Sequence, residues 1–217
     1  MANETGGFGL RSVYTLGSSP ATQGLSEYPI ETAPGKGLYQ NDPASKQCAG
    51  SIGYLQDAAN ATMDDGKTGG AGWAINTASI LPMTGVFNGA FYIDSATSKP
   101  TFANSVAAST TFGTDYNTGS SDGIGFVNDN PQQEYVIKAD AIVTQAMIGD
   151  AGYNTNSFTA GDAKDGQSTV TLDIGGGADA THMFKLVRSA DDPENNDLGA
   201  VGANVVVSIA QASNLYN

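Results

Sequence analysis

Apolar and polar residues alternate loosely in short runs from residue 37 onward, and Gly, Asn or Asp ends most of these runs. The runs are rich in Val, Ile, Phe and Tyr, which is typical of half-buried strands. They cover residues 38–40, 51–55, 85–93, 124–128, 134–138, 168–174, 182–187 and 204–209. Short strands separated by turns predict a mainly β chain, either an antiparallel β-barrel or a β-sandwich with long loops.

Two local patterns refine this prediction. Asn88-Gly89 lies between β-forming residues and predicts a tight hairpin, and the alternative is one longer strand with a bulge at Gly89. Residues 140–148 carry an apolar stripe and precede Gly149, so they predict one short helix with a C-terminal glycine. Polar, glycine-rich stretches predict the long loops, at 57–72, 113–123, 150–167 and 189–202.

The first 36 residues have a different texture. They are rich in Gly and Pro and show neither a strand nor a helix period, yet large apolar side chains are scattered through them. A purely solvated linker does not need such side chains. The pattern predicts an extended N-terminal arm over residues 1–36, followed by a single β-rich domain over residues 37–217. A disordered leader is the alternative interpretation of the same residues.

The net charge also differs between the N-terminal part of the chain and the rest. The chain has 22 acidic and 9 basic residues, a net charge of −13. Residues 1–56 hold four acids and three bases, a net of −1, which leaves eighteen acids, six bases and a net of −12 for residues 57–217. Nucleic acids and anionic membranes require clustered Lys and Arg, so we expect neither as a partner. The first residues also lack a basic and apolar leader, which predicts synthesis in a cytoplasm.

Motifs for catalysis are weak. Residues 119–123 match G-x-S-x-G, but a polar loop precedes them and an apparent strand follows, where a nucleophile elbow needs a strand and then a helix. The single histidine, His182, is expected at the end of a strand, and residues 65–68 lack the first glycine of a phosphate-binding loop. With one cysteine, Cys48, neither an internal disulfide nor a Cys/His zinc site is expected. The sequence therefore predicts no catalytic residue, no metal site and no cofactor, with loop acids as a weak calcium alternative.

At both ends the chain resembles head decoration, or cement, proteins of tailed bacteriophages and related virion structural proteins. The resemblance rests on GGFGLR (6–11), QGLSEY (23–28) and LYQNDP (38–43) near the start, and on FKLVR (184–188), DPEN (192–195) and ANVVVSI (203–209) near the end. Between them, GVFNG (85–89) and EYVIKAD (134–140) are also similar. These motifs are short and are spread over most of the chain.

The resemblance implies a non-enzymatic protein on the capsid exterior, made in the host cytoplasm. Its expected partner is the major capsid protein, and it is expected to form a homo-oligomer, with a trimer favoured. On this hypothesis the N-terminal arm bridges neighbouring capsid subunits and stabilises the shell. The candidate contact residues in the arm are Phe8, Leu10, Arg11, Tyr14, Leu25 and Tyr28.

Three alternatives remain open from the sequence. The first is another virion part, such as a tail component. The second is a carbohydrate-binding or other β-sandwich binding module, which would expose Trp73, Tyr92 or Tyr116 as a flat platform. The third is a hydrolase that uses Ser121 with His182.

Overall fold

Short β-strands form most of the ordered structure in the computed structural model. It describes residues 3–4, 6–16, 19–20, 24–34, 36–46, 51–54, 83–115, 119–157, 161–178 and 182–210. The strands are β1 (Arg11–Thr15), β2 (Ser19–Pro20), β3 (Ser26–Ile30), β4 (Leu38–Tyr39), β5 (Pro43–Lys46), β6 (Ile52–Tyr54), β7 (Gly85–Ile93), β8 (Pro100–Ala103), β9 (Ser105–Val106), β10 (Gly123–Asn128), β11 (Gln133–Lys138), β12 (Ala151–Thr155), β13 (Gly161–Asp162), β14 (Gln167–Ser168), β15 (Leu172–Asp173), β16 (Phe184–Ser189) and β17 (Asn204–Ile209).

The strands assemble into two main sheets. The seven-stranded sheet has the order β15-β12-β16-β17-β11-β1-β2, and the six-stranded sheet has the order β3-β10-β7-β5-β6, with β8 also paired to β7. All pairs within these two sheets are antiparallel. Strands β13 and β14, and strands β4 and β9, form two small additional pairs. The predicted mainly β, antiparallel architecture is confirmed.

Each main sheet has its own apolar core. Alternate residues of β11, β16 and β17 fill the first core, with Tyr135, Phe184 and Val207 fully buried. The second core lies behind the six-stranded sheet and includes Ile30 and Phe87. Burial of these side chains removes apolar surface from water and is the main stabilising contribution to the fold.

The predicted hairpin at Asn88-Gly89 is wrong, and the alternative of a bulged strand is confirmed. Strand β7 runs without a turn from Gly85 to Ile93. Its partner β10 pairs Phe126 with Gly89 and then Val127 with Phe87, so Asn88 is an extra residue in β7. Gly89 has a φ of +133° at this bulge, which a residue with a side chain rarely adopts.

The predicted helix over residues 140–148 shrinks to a 3₁₀ turn, Gln145–Met147. The backbone amides of Asp140 and Val143 donate to the carbonyls of Leu172 and Leu198, so hydrogen bonds to distant segments fix the path of the chain here. Gly149 does follow the turn with a positive φ of 89°. Tertiary hydrogen bonds therefore override the helical pattern of these residues.

The predicted N-terminal arm requires a correction. Strand β1 pairs with β11 in the seven-stranded sheet, and β3 pairs with β10 in the six-stranded sheet. Leu10 is 0% exposed in the first core, whereas Ile30 lies in the second. The described parts of residues 1–36 are thus built into both sheets and do not extend from a separate body.

Candidate functional site

The outer face of the six-stranded sheet carries a row of apolar side chains. In the register of the sheet, Phe102 of β8 lies opposite Phe91 of β7, and Phe91 lies opposite Ile124 of β10. Ile124 in turn lies opposite Pro29 of β3. Because residues that face each other across paired strands point to the same side, these four side chains share one face.

Aromatic rings extend this row. The centroids of Phe91 and Phe102 are 4.7 Å apart, and those of Phe102 and Phe126 are 6.5 Å apart. Phe102 is 75% exposed, an unusual position for a phenylalanine on a regular strand. We call the surface formed by Pro29, Phe91, Phe102, Ile124 and Phe126 the open face.

A groove of about 370 Å³ runs beside the open face. Phe91 and Ile124 contribute to its apolar lining, and three carboxylate residues, Glu27, Asp115 and Asp122, also line it. Negative charge next to an exposed apolar surface favours a partner that presents apolar side chains together with Lys or Arg.

Glycines explain why the bulky side chains of β10 point outward. Gly123 and Gly125 are buried on the inner face, and Ile124 and Phe126 are half-buried on the outer face. A Cβ atom on Gly125 would lie 2.8 Å from Ile30 Cδ1, so the inner face has no room for a side chain there. Sequence reasoning missed the open face, although this alternation of glycine with bulky residues is a signal that could have found it.

The outer face of the seven-stranded sheet is covered, and we call it the sealed face, formed by Tyr14, Glu134, Lys138 and Arg188. Arg188 forms a 2.9 Å ion pair with the buried carboxylate of Glu134. The Arg188 guanidinium carbon also lies 5.3 Å from the centroid of the Tyr14 ring. These charge and ring contacts link β1 to β11 and β16 and help to hold β1 against the sheet.

The N-terminal residues complete this cover. Lys138 Nζ donates to the carbonyl oxygen of Glu4 at 2.7 Å and lies 5.9 Å from the centroid of the Phe8 ring. The guanidinium carbon of Arg11 lies 4.7 Å from the same ring. Phe8 therefore lies close to two cations of its own chain.

A loop before β17 holds the N-terminal segment from the other side. Asn195 Oδ1 accepts a hydrogen bond from the backbone of Glu4 at 2.8 Å. In the same loop, the backbone N–H of Glu194 lowers the pKa of Asp192, and the side-chain amides of Asn204 and Asn195 lower it further. Asp192 is thus stabilised as an anion where the N-terminal segment is anchored.

The six predicted contact residues do not form one surface. Leu10 and Tyr28 are buried in the two different cores, and Tyr28 Oη donates to Asp129 Oδ2 at 2.8 Å. Phe8, Arg11 and Tyr14 make the contacts with the sealed face described above. Leu25 is exposed and lines a second pocket, together with Arg11.

The surroundings of the weak catalytic motifs differ from those that catalysis requires. The turn at residues 119–123 leads into strand β10, whereas a nucleophile elbow requires a helix at that point. Ser121 Oγ lies 3.4 Å from Thr114 Oγ1, and His182 Nδ1 lies 2.8 Å from the carbonyl oxygen of Gly152. Within the described ranges, no group of three or more His, Cys, Asp or Glu residues is placed to hold a metal ion.

Several residues weighed from the sequence lie outside the described residues. They are Cys48, Trp73, Tyr116 and residues 65–68. Tyr92, the third candidate for a sugar-binding platform, stacks on Phe112 with 4.7 Å between the ring centroids. One of its ring faces is therefore already covered. Among the helical residues that the structure describes, no segment is long and apolar enough to span a membrane.

Comparison of the chain with models of known protein families, with curated proteins and with solved structures finds no match. A function for this chain therefore has to be inferred from its open face, its sealed face, its pockets and its sequence motifs.

Proposed function

We propose that this chain is a non-enzymatic structural protein of a virus particle, and that it binds and stabilises the outside of an assembled capsid shell. The observation that carries the proposal is the open face, where Phe102 on the edge strand β8 is 75% exposed. Soluble monomers rarely leave a large contiguous apolar patch in water unless a partner covers it. The motifs that resemble those of tailed-phage decoration proteins indicate what kind of partner this is.

The charge of the chain supports a protein partner of complementary composition. With a net charge of −13 and the carboxylates of Glu27, Asp115 and Asp122 beside the open face, the surface favours a partner that presents apolar and basic side chains. Charged groups at the rim of an interface act mainly on the rate of association and on specificity. The apolar rings supply the affinity, as they do at most protein interfaces.

Stabilisation of a shell follows from many copies acting together. We propose the major capsid protein as the partner and a homo-oligomer, with a trimer favoured, as the binding unit. Linked copies bind neighbouring capsid subunits with an avidity far above that of one copy. Three residues of the N-terminal segment are exposed: Arg11, Tyr14 and Leu25. They can make a second contact with the capsid, so we propose that these three residues carry the bridging role of the segment.

The first experiment tests the function itself. Virus particles are purified from cells that express this gene, and the chain is quantified by mass spectrometry against the most abundant shell protein. We expect a fixed ratio and antibody labelling on the head in electron microscopy. Absence from the particles would overturn the proposal, and labelling confined to the tail would replace it with the tail-component alternative.

The second experiment tests the surface. Purified wild-type and Phe102→Ser proteins are mixed with particles that lack the chain and are then sedimented. Because Phe102 is largely exposed, we expect the variant to keep its fold and to lose at least about tenfold in affinity, as for an aromatic residue that a partner buries. Leu16→Ser, at a residue that is 55% exposed and outside the open face, is the matched control and should bind normally. The opposite pattern would move the contact to the N-terminal segment.

A further inference from the structure

A second pocket, of about 260 Å³, lies between the sheets and is lined mostly by carboxamide side chains. Five of the lining residues are of this kind: Gln40, Asn41, Asn88, Asn128 and Gln167. A carboxamide presents both hydrogen-bond donors and an acceptor and carries no charge. The pocket therefore has the character of a polar recognition site rather than a gap in an apolar core.

Several of these groups keep hydrogen-bonding capacity. Gln40 Nε2 donates to Asn88 Oδ1 at 3.0 Å, which leaves Gln40 Oε1 and Asn88 Nδ2 without a partner among the described residues. Asn41 Nδ2 donates to the Phe8 carbonyl oxygen at 3.3 Å, and its own oxygen is likewise left over. The Asn128 amide donates to Ser12 Oγ, another lining residue, at 3.0 Å. The wall thus keeps free donors and acceptors while its own hydrogen bonds hold the side chains in place.

The bulge in β7 is what brings Asn88 to this wall. Asn88 is the extra residue opposite the step between Phe126 and Val127 of β10. Bulges bend a strand and re-aim the side chain of the inserted residue, and they occur often beside binding sites. The bulge therefore adds a hydrogen-bond donor, the side-chain amide of Asn88, to the pocket. In a regular strand this side chain would point elsewhere.

We infer that this pocket binds a single saccharide unit. Adjacent sugar hydroxyls need paired donors and acceptors, which carboxamides supply. The volume of about 260 Å³ lies just below the roughly 300 Å³ at which pockets for drug-sized ligands begin, so it suits one sugar ring. Apolar lining is limited to Val86 and Leu25, which argues against an apolar ligand.

Arg11 adds a preference among sugars. It is the one charged residue among the described lining residues of the pocket, and no carboxylate is present there to neutralise it. A guanidinium binds carboxylates with two parallel hydrogen bonds. A uronic acid should therefore bind more tightly than the neutral sugar of the same ring. This site is separate from the open face, and binding of a free sugar to it is measured without a capsid, although Arg11 and Leu25 are also proposed to contact the capsid.

The test is a titration of the isotopically labelled full chain, followed through the side-chain amide signals of Asn and Gln by NMR. The probes are methyl glucoside, N-acetylglucosamine and glucuronate, each added to high millimolar concentration. We expect saturable shifts of the Asn88, Gln40 and Gln167 side-chain signals, with glucuronate binding most tightly. If none of the three probes shifts these signals, the inference is overturned.

The sharpest variant is Asn88→Asp. It keeps the oxygen that accepts the hydrogen bond from Gln40 and replaces the free NH₂ donor with an oxygen. Affinity for the tighter-binding neutral probe should fall about tenfold, the usual effect of losing one good hydrogen bond. Asn196→Asp makes the same charge change at an exposed loop position and should leave binding unchanged.

A second variant guards against misfolding at the bulge. Gln167 is exposed in β14, so Gln167→Ala should fold normally and bind the same probe several-fold more weakly. Wild-type affinity in both Asn88→Asp and Gln167→Ala would overturn the inference even if a sugar binds somewhere on the chain.

Discussion

The outer faces of the two sheets differ in how far other parts of the chain cover them. On the seven-stranded sheet, the buried Glu134 and Lys138 each have a partner, and N-terminal residues cover the strands. On the six-stranded sheet, Phe102 is 75% exposed, and the Phe91 and Phe126 rings beside it are half-buried. The same chain covers one face and leaves the other bare. Exposure of the open face is therefore a feature of this protein and not a general lack of covering segments.

Glycine makes the cover of the sealed face possible. Gly202 has a φ of +87°, and a Cβ atom on it would overlap the carbonyl oxygen of Glu4. A Cβ atom on Gly7 would overlap the carbonyl oxygen of Thr169. Gly7, one of the glycines in the predicted extended arm, thus allows close backbone contact in the fold.

The largest expected effect tests whether the N-terminal segment belongs to the sealed side of the molecule. Leu10→Ala removes a fully buried side chain from the first core and should lower the free energy of unfolding by about 2–5 kcal/mol. Urea denaturation measures the change. Leu16→Ala, at a residue that is 55% exposed, should change it by less than about 0.5 kcal/mol. Equal, small effects of Leu10→Ala and Leu16→Ala would show that the segment is an extended arm outside the core, as the sequence predicts.

A smaller effect tests the cover itself. Lys138→Met keeps the apolar stem but leaves the Glu4 carbonyl oxygen without its donor and removes a cation from the Phe8 ring. The free energy of unfolding should fall by about 1–2 kcal/mol. Lys185→Met, at an exposed position of β16, is the control and should have little effect. Unchanged stability in Lys138→Met would show that the Lys138 contacts do not hold the N-terminal segment in place.

The smallest expected effect is on the pH dependence of stability, and it tests the loop that anchors the N-terminal segment. Asp192 has a folded-state pKa below its ordinary value of 3.8, chiefly because the Glu194 backbone N–H donates to it. A lowered folded-state pKa adds stability that is present above the unfolded value and is lost as pH falls through the folded value. Wild type should therefore lose more stability than Asp192→Asn when urea midpoints are compared at about pH 5 and about pH 2.

The control for this titration is Asn196→Ala, which changes an exposed residue of the same loop and removes no carboxylate. It should leave the acid dependence close to that of wild type. If Asp192→Asn and wild type show the same acid dependence, the carboxylate does not help to anchor the loop on the N-terminal segment.

Local pattern predicted some elements well and others not at all. Strands β7 and β17 have the predicted bounds, because their β-forming residues are clustered and both lie inside a sheet. Strand β3 was missed because Pro29 interrupts its alternation, although proline is tolerated there since β3 is an edge strand. Strand β1 was missed because its five residues, RSVYT, do not alternate apolar with polar side chains.

The candidate contact residues show a similar limit. Large apolar side chains in a glycine-rich segment were interpreted as exposed anchors, and Tyr14 and Leu25 are indeed exposed. Leu10 and Tyr28 are buried instead, since strands more than ninety residues away along the chain, β11 and β10, bring the core to them. Nothing within a short window of sequence distinguishes these two outcomes.

The sequence by itself determined the mainly β class, the position of about half of the strands and the acidic character of the chain, because strand propensity and charge are local properties. Only the tertiary structure decided which faces are covered. Cover depends on pairing between distant strands and on glycines that permit close contact, and the pocket depends on Asn88, the extra residue in β7. These are non-local relations, so they become visible only when the sheets are assembled.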